Sequence, residues 1–113
     1  MILNFSFKIG SVFKNMFFSY QIDFIKKVII YNDKTIKLTK ENILFIKEKI
    51  KKSNCLNYEK TYVNRLIKDG CQWKLNIKTL FKEKAVHGDN AYPDNFDQLI
   101  ELNNYIEKIL KEE

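Results

Sequence analysis

The first third of the chain alternates apolar and polar residues with a period of two, which is typical of half-buried β-strands. Apolar side chains stand at odd positions over 3–9 and at even positions over 18–24. A further apolar run at 28–31 reaches 35–38 through Asn32-Asp33, a pair that tolerates the left-handed backbone of a tight turn. Residues 27–38 are therefore predicted to form a β-hairpin. A single amphipathic helix over 11–30 is the second interpretation, and the β-branched and aromatic residues there favour strands instead.

The remainder of the chain shows spacings typical of helices. Thr39 is a candidate N-cap for a helix over 40–53, and a second helix over about 57–69 would end before Gly70. A third helix would begin near Trp73 and end before Gly88, and Pro93-Asp94 would open a last helix over about 95–111. We expect one α+β domain over 1–113. Its β-rich part, 1–38, forms N-terminal antiparallel strands and a hairpin, packed with a C-terminal three- to four-helix bundle over 39–113.

The charge of the chain is unevenly distributed. Residues 1–88 carry 18 Lys and Arg against 7 Asp and Glu, whereas residues 89–113 carry 2 against 7. A basic body favours polyanions or an acidic protein surface. Arg65 is the only arginine, which argues against readout of base sequence, because arginine is the usual reader of guanine.

The densest lysines predict a nucleic-acid backbone contact on the helix over 40–53 and on the preceding turn. Tyr20 or Tyr31 would stack bases beside it. A solvated helix face is the simpler explanation of the same charges. The candidate binding residues are Lys26, Lys27, Lys47, Lys49, Lys51 and Lys52.

Several classes of site and location are not indicated by the sequence. Cys55 and Cys71 are too few for a zinc site, which takes about four ligands, and whether they pair is open. The chain has no phosphate-binding glycine loop and no nucleophile elbow, so we expect no metal and no cofactor. No apolar run reaches the roughly 20 residues of a membrane helix, and Lys8 and Lys14 interrupt any signal-like start. A cytoplasmic protein without membrane contact is expected, in the host cytoplasm if the chain is viral.

His87 is the only histidine, the side chain best suited to carry a proton near neutral pH. It stands where the third predicted helix would end. The simple interpretation is that it caps that helix by donating to the last carbonyl groups.

Residues 85–90, Ala-Val-His-Gly-Asp-Asn, followed by a helix over 96–110, resemble the C-terminal half of HEPN-type helical domains. The resemblance implies an RNA-associated module, an active or degenerate ribonuclease or toxin. In that family a histidine follows an upstream arginine, and Lys82 stands at that position here. His87 and Lys82 would then be the catalytic residues. They would form a composite site across a homodimer.

The composition adds a hypothesis about the function. Heavy use of Lys, Asn, Ile, Phe and Tyr is typical of an AT-rich genome. No cluster of reactive groups is evident. We therefore predict a small non-enzymatic interaction protein from a phage or mobile element. It would bind a larger host protein or nucleoprotein complex, in defence or nucleic-acid processing, and inhibit or adapt it. The HEPN-like module and a lysine-rich binder of RNA or DNA backbone are the alternatives.

Overall fold

The computed structural model describes residues 1–11, 14–66 and 70–112. Within them the chain forms one seven-stranded sheet and two α-helices. The strands are β1 (Ile2–Ser11), β2 (Met16–Asp23), β3 (Val28–Tyr31), β4 (Lys34–Lys37), β5 (Thr61–Val63), β6 (Gln72–Thr79) and β7 (Glu83–Asp89). The helices are α1 (Lys40–Ser53) and α2 (Asp97–Lys111), and a short 3-10 helix spans Cys55–Asn57.

The strand order in the sheet is β4-β3-β2-β1-β6-β7-β5, so β1 lies at its centre. The short strand β5 runs parallel to β7, and the other neighbouring strands are antiparallel. Because side chains alternate between the two faces of a strand, this order decides which residues of distant segments share a face.

One face of the sheet is covered by both helices, which close the hydrophobic core. The buried side chains of the three longest strands are Phe5, Phe7, Tyr20, Ile22, Trp73, Leu75 and Ile77. Opposite them, the helices contribute Ile46, Ile50, Leu99, Leu102 and Ile106. The residues between the buried strand positions must then face away from the helices. Neither helix of the described residues covers this second face, which we call the open face.

The two helices are also joined to each other and to the sheet. The rings of Phe45 and Tyr105 stack with centroids 4.0 Å apart, and Lys49 Nζ lies 3.1 Å from a carboxylate oxygen of Glu101. The Tyr20 hydroxyl donates to Asn103 Oδ1 at 2.7 Å, inside the core. These contacts set the position of α1 and α2 over the sheet.

The predictions for 27–38 and 40–53 are confirmed. Strands β3 and β4 form the hairpin, and Asn32 and Asp33 have φ of 46° and 67° in its turn. Helix α1 occupies the predicted residues, and Thr39 Oγ1 accepts from the Asn42 amide at 3.1 Å as its N-cap. Because β2 runs through Met16–Asp23, the alternative of one helix over 11–30 is wrong.

The predicted C-terminal three- to four-helix bundle is wrong. The described part of the predicted helix 57–69 contains strand β5, and its residues 67–69 lie outside the described residues. The third predicted helix is the β6–β7 hairpin. A spacing of four between Trp73 and Ile77 fits a helix, but Leu75 between them is buried too, so the true period is two. The last predicted helix, over about 95–111, is confirmed as α2, although its N-cap residue is Phe96 and not Asp94.

A close contact between Trp73 and Gly88 fixes the hairpin to the loop before α2. The two residues are paired across β6 and β7, and a Cβ on Gly88 would overlap the indole ring. The indole Nε1 donates to the Ala91 carbonyl at 3.0 Å, and the centroids of the Trp73 and Phe96 rings lie 4.7 Å apart. The contact between Trp73 and Gly88 on the buried side therefore fixes the register of β7 against β6. Neither helix of the described residues is long and apolar enough to cross a bilayer.

Candidate functional site

The open face of the sheet carries two lysines and a histidine in a row across its centre. Lys8 on β1 is the direct partner of Lys74 on β6, and Lys74 is the direct partner of His87 on β7. All three are exposed. Ser19 and Thr61, also exposed, extend the same row on β2 and β5. We call Lys8, Lys74 and His87 the cationic row.

The cationic row is an unfavourable arrangement for the protein alone. Side chains directly opposite one another on antiparallel strands have Cβ atoms only about 5 Å apart, and like charges placed there destabilise the sheet. The ion pairs among the described residues join Lys49 to Glu101 and Lys52 to Glu48. Neither of these two pairs involves Lys8 or Lys74.

Two carboxylates on this face, Asp23 and Asp89, accept hydrogen bonds from neutral groups. Asp89 Oδ1 accepts from Gln72 Nε2 and from Asn90 Nδ2, each at 3.0 Å. Asp23 Oδ1 accepts from the backbone amides of Ile25 and Lys26, both at 2.9 Å. Because these donors are neutral, the bonds do not cancel the charge of a carboxylate, and Asp89 lines a hollow together with Lys8 and Lys74.

A hollow of about 650 Å³ lies on the open face over the cationic row. Its polar wall is made of small neutral groups that donate and accept hydrogen bonds, namely Ser6, Ser19, Gln21 and Asn76. Their alternation with core residues on β1, β2 and β6 aims them away from the helices. The hollow therefore combines positive charge with neutral hydrogen-bonding groups.

A second hollow, of about 460 Å³, meets the first at the same three residues of the cationic row. It continues towards Phe17, Gln72 and Asp89. Phe17 is 40% exposed, and Lys8 Nζ lies 4.6 Å from the centroid of its ring, within the range of a cation–π contact. The two hollows make one continuous surface with the charges in the middle.

The lysines singled out from the sequence lie elsewhere. Lys26 and Lys27 occupy the turn between β2 and β3, and the others are on α1, which covers the opposite face of the sheet. Lys49 pairs with Glu101, and Lys52 pairs with Glu48 at 2.8 Å. The Lys52 hydrogen bond lowers the pKa of Glu48. Lys47 Nζ lies 5.6 Å from the Phe24 ring centroid. Two of the six predicted binding residues are thus already ion-paired, and their role in binding stays a prediction.

His87 lies in the middle of strand β7, so its predicted role as a helix cap is wrong. Lys82, its predicted catalytic companion, is in the turn before β7. Five residues of extended chain span roughly 16 Å, which separates the two within one protomer. Lys74 is the cation that the sheet places beside His87.

The two tyrosines proposed for base stacking differ in exposure. Tyr20 is buried, and its hydroxyl is bonded to Asn103. Tyr31 is half-buried against the Phe18 ring, with centroids 5.8 Å apart. Phe17 is the exposed aromatic ring beside the cationic row.

The two cysteines are both free, Cys55 in the core and Cys71 half-buried. Burial raises the pKa of the Cys55 thiol, which lowers its reactivity, since the thiolate is the reactive form. Among the described residues, no three His, Cys, Asp or Glu side chains come together as a metal-binding group.

No protein-family model matches the chain, and a search of curated proteins found no match. The function is therefore argued from the geometry of the open face.

Proposed function

We propose that the protein is a non-enzymatic binding protein whose open sheet face binds the phosphate backbone of a nucleic acid. The observation that carries this proposal is the alignment of Lys8, Lys74 and His87 across three neighbouring strands. An anion between these side chains would turn their repulsion into attraction. A polymer with regularly spaced phosphates fits a row of this kind better than a single small anion does.

The surroundings of the row support the same ligand. Neutral polar groups line the larger hollow, where they would contact sugar and base atoms beside the phosphates. Most hydrogen bonds from proteins to nucleic acid go to phosphate and sugar, and lysine is well suited to that role. The chain has a single arginine, Arg65, which favours backbone contact over base-specific readout.

Binding of this kind has a characteristic salt dependence. Each phosphate that a protein neutralises on a single strand contributes about −0.7 to the slope of log K against log salt concentration. Two lysines and one histidine would give a slope of about −1.4 to −2. The affinity is therefore expected to be modest, and a larger nucleoprotein complex would supply further contacts.

Fluorescence anisotropy with a labelled single-stranded RNA of mixed sequence tests the proposal. We expect binding at low salt that weakens with the slope given above. A morpholino oligomer of the same sequence, which has an uncharged backbone, is the matched control and should not bind. Absence of RNA binding at low salt, or equal binding of the morpholino, would overturn the proposal.

The same samples test the ribonuclease alternative, which was predicted from His87 and Lys82; Lys74 is the cation paired with His87 in the sheet. An imidazole moves protons during RNA cleavage, and a nearby ammonium group stabilises the charged phosphate. We expect the RNA to remain intact on a denaturing gel after incubation with the protein. Cleavage that disappears in His87→Ala would instead establish the enzyme.

A further inference from the structure

The second hollow has the exposed residue Phe17 in its wall. It is lined by Phe17 and by the polar pair Gln72 and Asp89, and it shares the cationic row with the larger hollow. Its volume of about 460 Å³ exceeds that of a single nucleobase. A ligand whose phosphates lie on the row would therefore have room for a base beside them.

The position of Phe17 depends on a glycine in the neighbouring strand. Gly10 is the partner of Phe17 in the pairing of β1 with β2. A Cβ on Gly10 would lie 2.8 Å from Phe17 Cδ1 and would also overlap the Met16 carbonyl oxygen. The missing side chain leaves the space in which the ring lies close to the sheet.

The Phe17 ring is available for a planar ligand. Phe17 is 40% exposed, and its ring is in contact with Lys8 Nζ, a mobile group at the end of a flexible side chain. An exposed cation–π contact contributes only about 0.5–1 kcal/mol. A phosphate on the cationic row would draw the Lys8 ammonium group towards it and uncover the ring.

The rim of the hollow supplies groups for the edge of a base. Gln72 Nε2 donates to Asp89 Oδ1 at 3.0 Å, which holds both side chains at the same end of the hollow. A carboxylate accepts several hydrogen bonds, so Asp89 offers an acceptor to the hydrogen-bonding edge of a base. In duplexes that edge is occupied by pairing, whereas in single strands it is open.

We infer that the second hollow is a nucleobase subsite, in which an unpaired base stacks on Phe17 while the adjacent phosphates lie on the cationic row. The inference rests on the proposed function and assigns single-stranded nucleic acid as its ligand class. Stacking on an aromatic side chain is tolerant of sequence, because every base has a π-face. The subsite would therefore select for unpaired bases without selecting for one sequence.

The experiment compares two labelled oligonucleotides of equal length and charge, one with normal bases and one made wholly of abasic residues. We expect the protein to bind the normal strand about tenfold more tightly, as one base–aromatic stack provides. Phe17→Ala and Phe17→Leu should both remove this preference, measured as the ratio of the two affinities in each variant. Phe81→Ala is the control, since Phe81 is 96% exposed at the β6–β7 turn, outside both hollows.

The outcomes separate the inference from the proposed function. Equal affinity of the unmodified protein for the two strands would overturn the base subsite and leave phosphate binding intact. Retention of the preference in both Phe17 variants would also overturn it. Failure to bind either strand at low salt would overturn both proposals. The Phe17→Leu variant keeps an apolar side chain in the fold, so it decides the question if Phe17→Ala does not fold.

Discussion

Lys8 and Lys74 face each other directly across β1 and β6, at the centre of the open sheet face. The repulsion between these two lysines destabilises the folded protein, and in our proposal the same two charges bind RNA. Substitution of either lysine by a neutral residue should therefore raise the free energy of unfolding and lower the affinity for RNA, and each change is measured in a separate experiment.

Lys74→Gln is expected to stabilise the free protein by a few tenths to about 1 kcal/mol, because it removes a like-charge contact with Lys8. Urea unfolding measures the change. Lys78→Gln is the matched control on the same strand and face. The partner of Lys78 on β7 is Glu83. Loss of the Lys78 charge removes an attraction, so the free energy of unfolding should be unchanged or lower. If Lys74→Gln lowered the free energy of unfolding as much as Lys78→Gln does, Lys8 and Lys74 would not repel each other in the folded protein.

Gly88→Ala is expected to destabilise the fold by about 2–3 kcal/mol, because the new methyl group overlaps the Trp73 indole. Trp73 is the only tryptophan, so its fluorescence reports the displacement together with thermal unfolding. Ala85→Ser, on the exposed side of the same strand, should change the free energy of unfolding by less than about 0.5 kcal/mol. A well-folded Gly88→Ala with unchanged emission would disprove this packing.

Stability is expected to fall in mildly alkaline solution because burial raises the pKa of Cys55 in the folded protein. An unfolded thiol loses its proton near pH 8.5, whereas the folded one keeps it. The contribution of the buried Cys55 thiol to the free energy of unfolding is therefore fully present below about pH 8.5. It is lost as the pH rises towards the pKa of Cys55 in the folded protein. The buried Tyr20, whose pKa is also raised by burial, extends the loss above about pH 10.

Urea unfolding between about pH 7 and 9.5 checks this dependence. Cys55→Ala should have lower stability at pH 7 but a flatter decline with pH. Cys71→Ala, at the half-buried thiol, is the control and should keep the slope of the unmodified protein. The same slope in both variants would show that Cys55 is not its source.

Local signals predicted the elements whose turns and caps are encoded in adjacent residues. Asn32-Asp33 adopts the left-handed backbone of a hairpin turn, and Thr39 caps α1 through its own hydroxyl. These preferences operate within a few residues, so they are visible in the sequence. Strands β1 and β2 were predicted from an equally local signal, the alternation of apolar and polar residues with a period of two.

The sheet beyond β4 was missed because its strands combine two periodicities. Trp73 and Ile77 are four residues apart, as on a helix face, and the burial of Leu75 between them decides for a strand. The alternation of Trp73, Leu75 and Ile77 with Lys74, Asn76 and Lys78 was the signal that could have revealed it.

The cationic row was missed with those strands. Lys8 and Lys74 are distant in the sequence and become neighbours only when β1 pairs with β6. No local pattern encodes that pairing, because it arises from the burial of both strands under the helices. The densest lysine run, on α1, attracted the prediction instead, although two of its members are held in ion pairs.

The most direct test of the account compares two double variants that remove the same charge from opposite sides of the protein. Lys8→Gln with Lys74→Gln neutralises the cationic row, and Lys47→Gln with Lys51→Gln neutralises exposed positions on α1. RNA binding is measured for each across a salt series. The row variant should reduce the magnitude of the salt slope by about 1.4, at about 0.7 per phosphate, while the α1 variant should keep the original slope. A slope lost in the α1 variant and kept in the row variant would contradict the account.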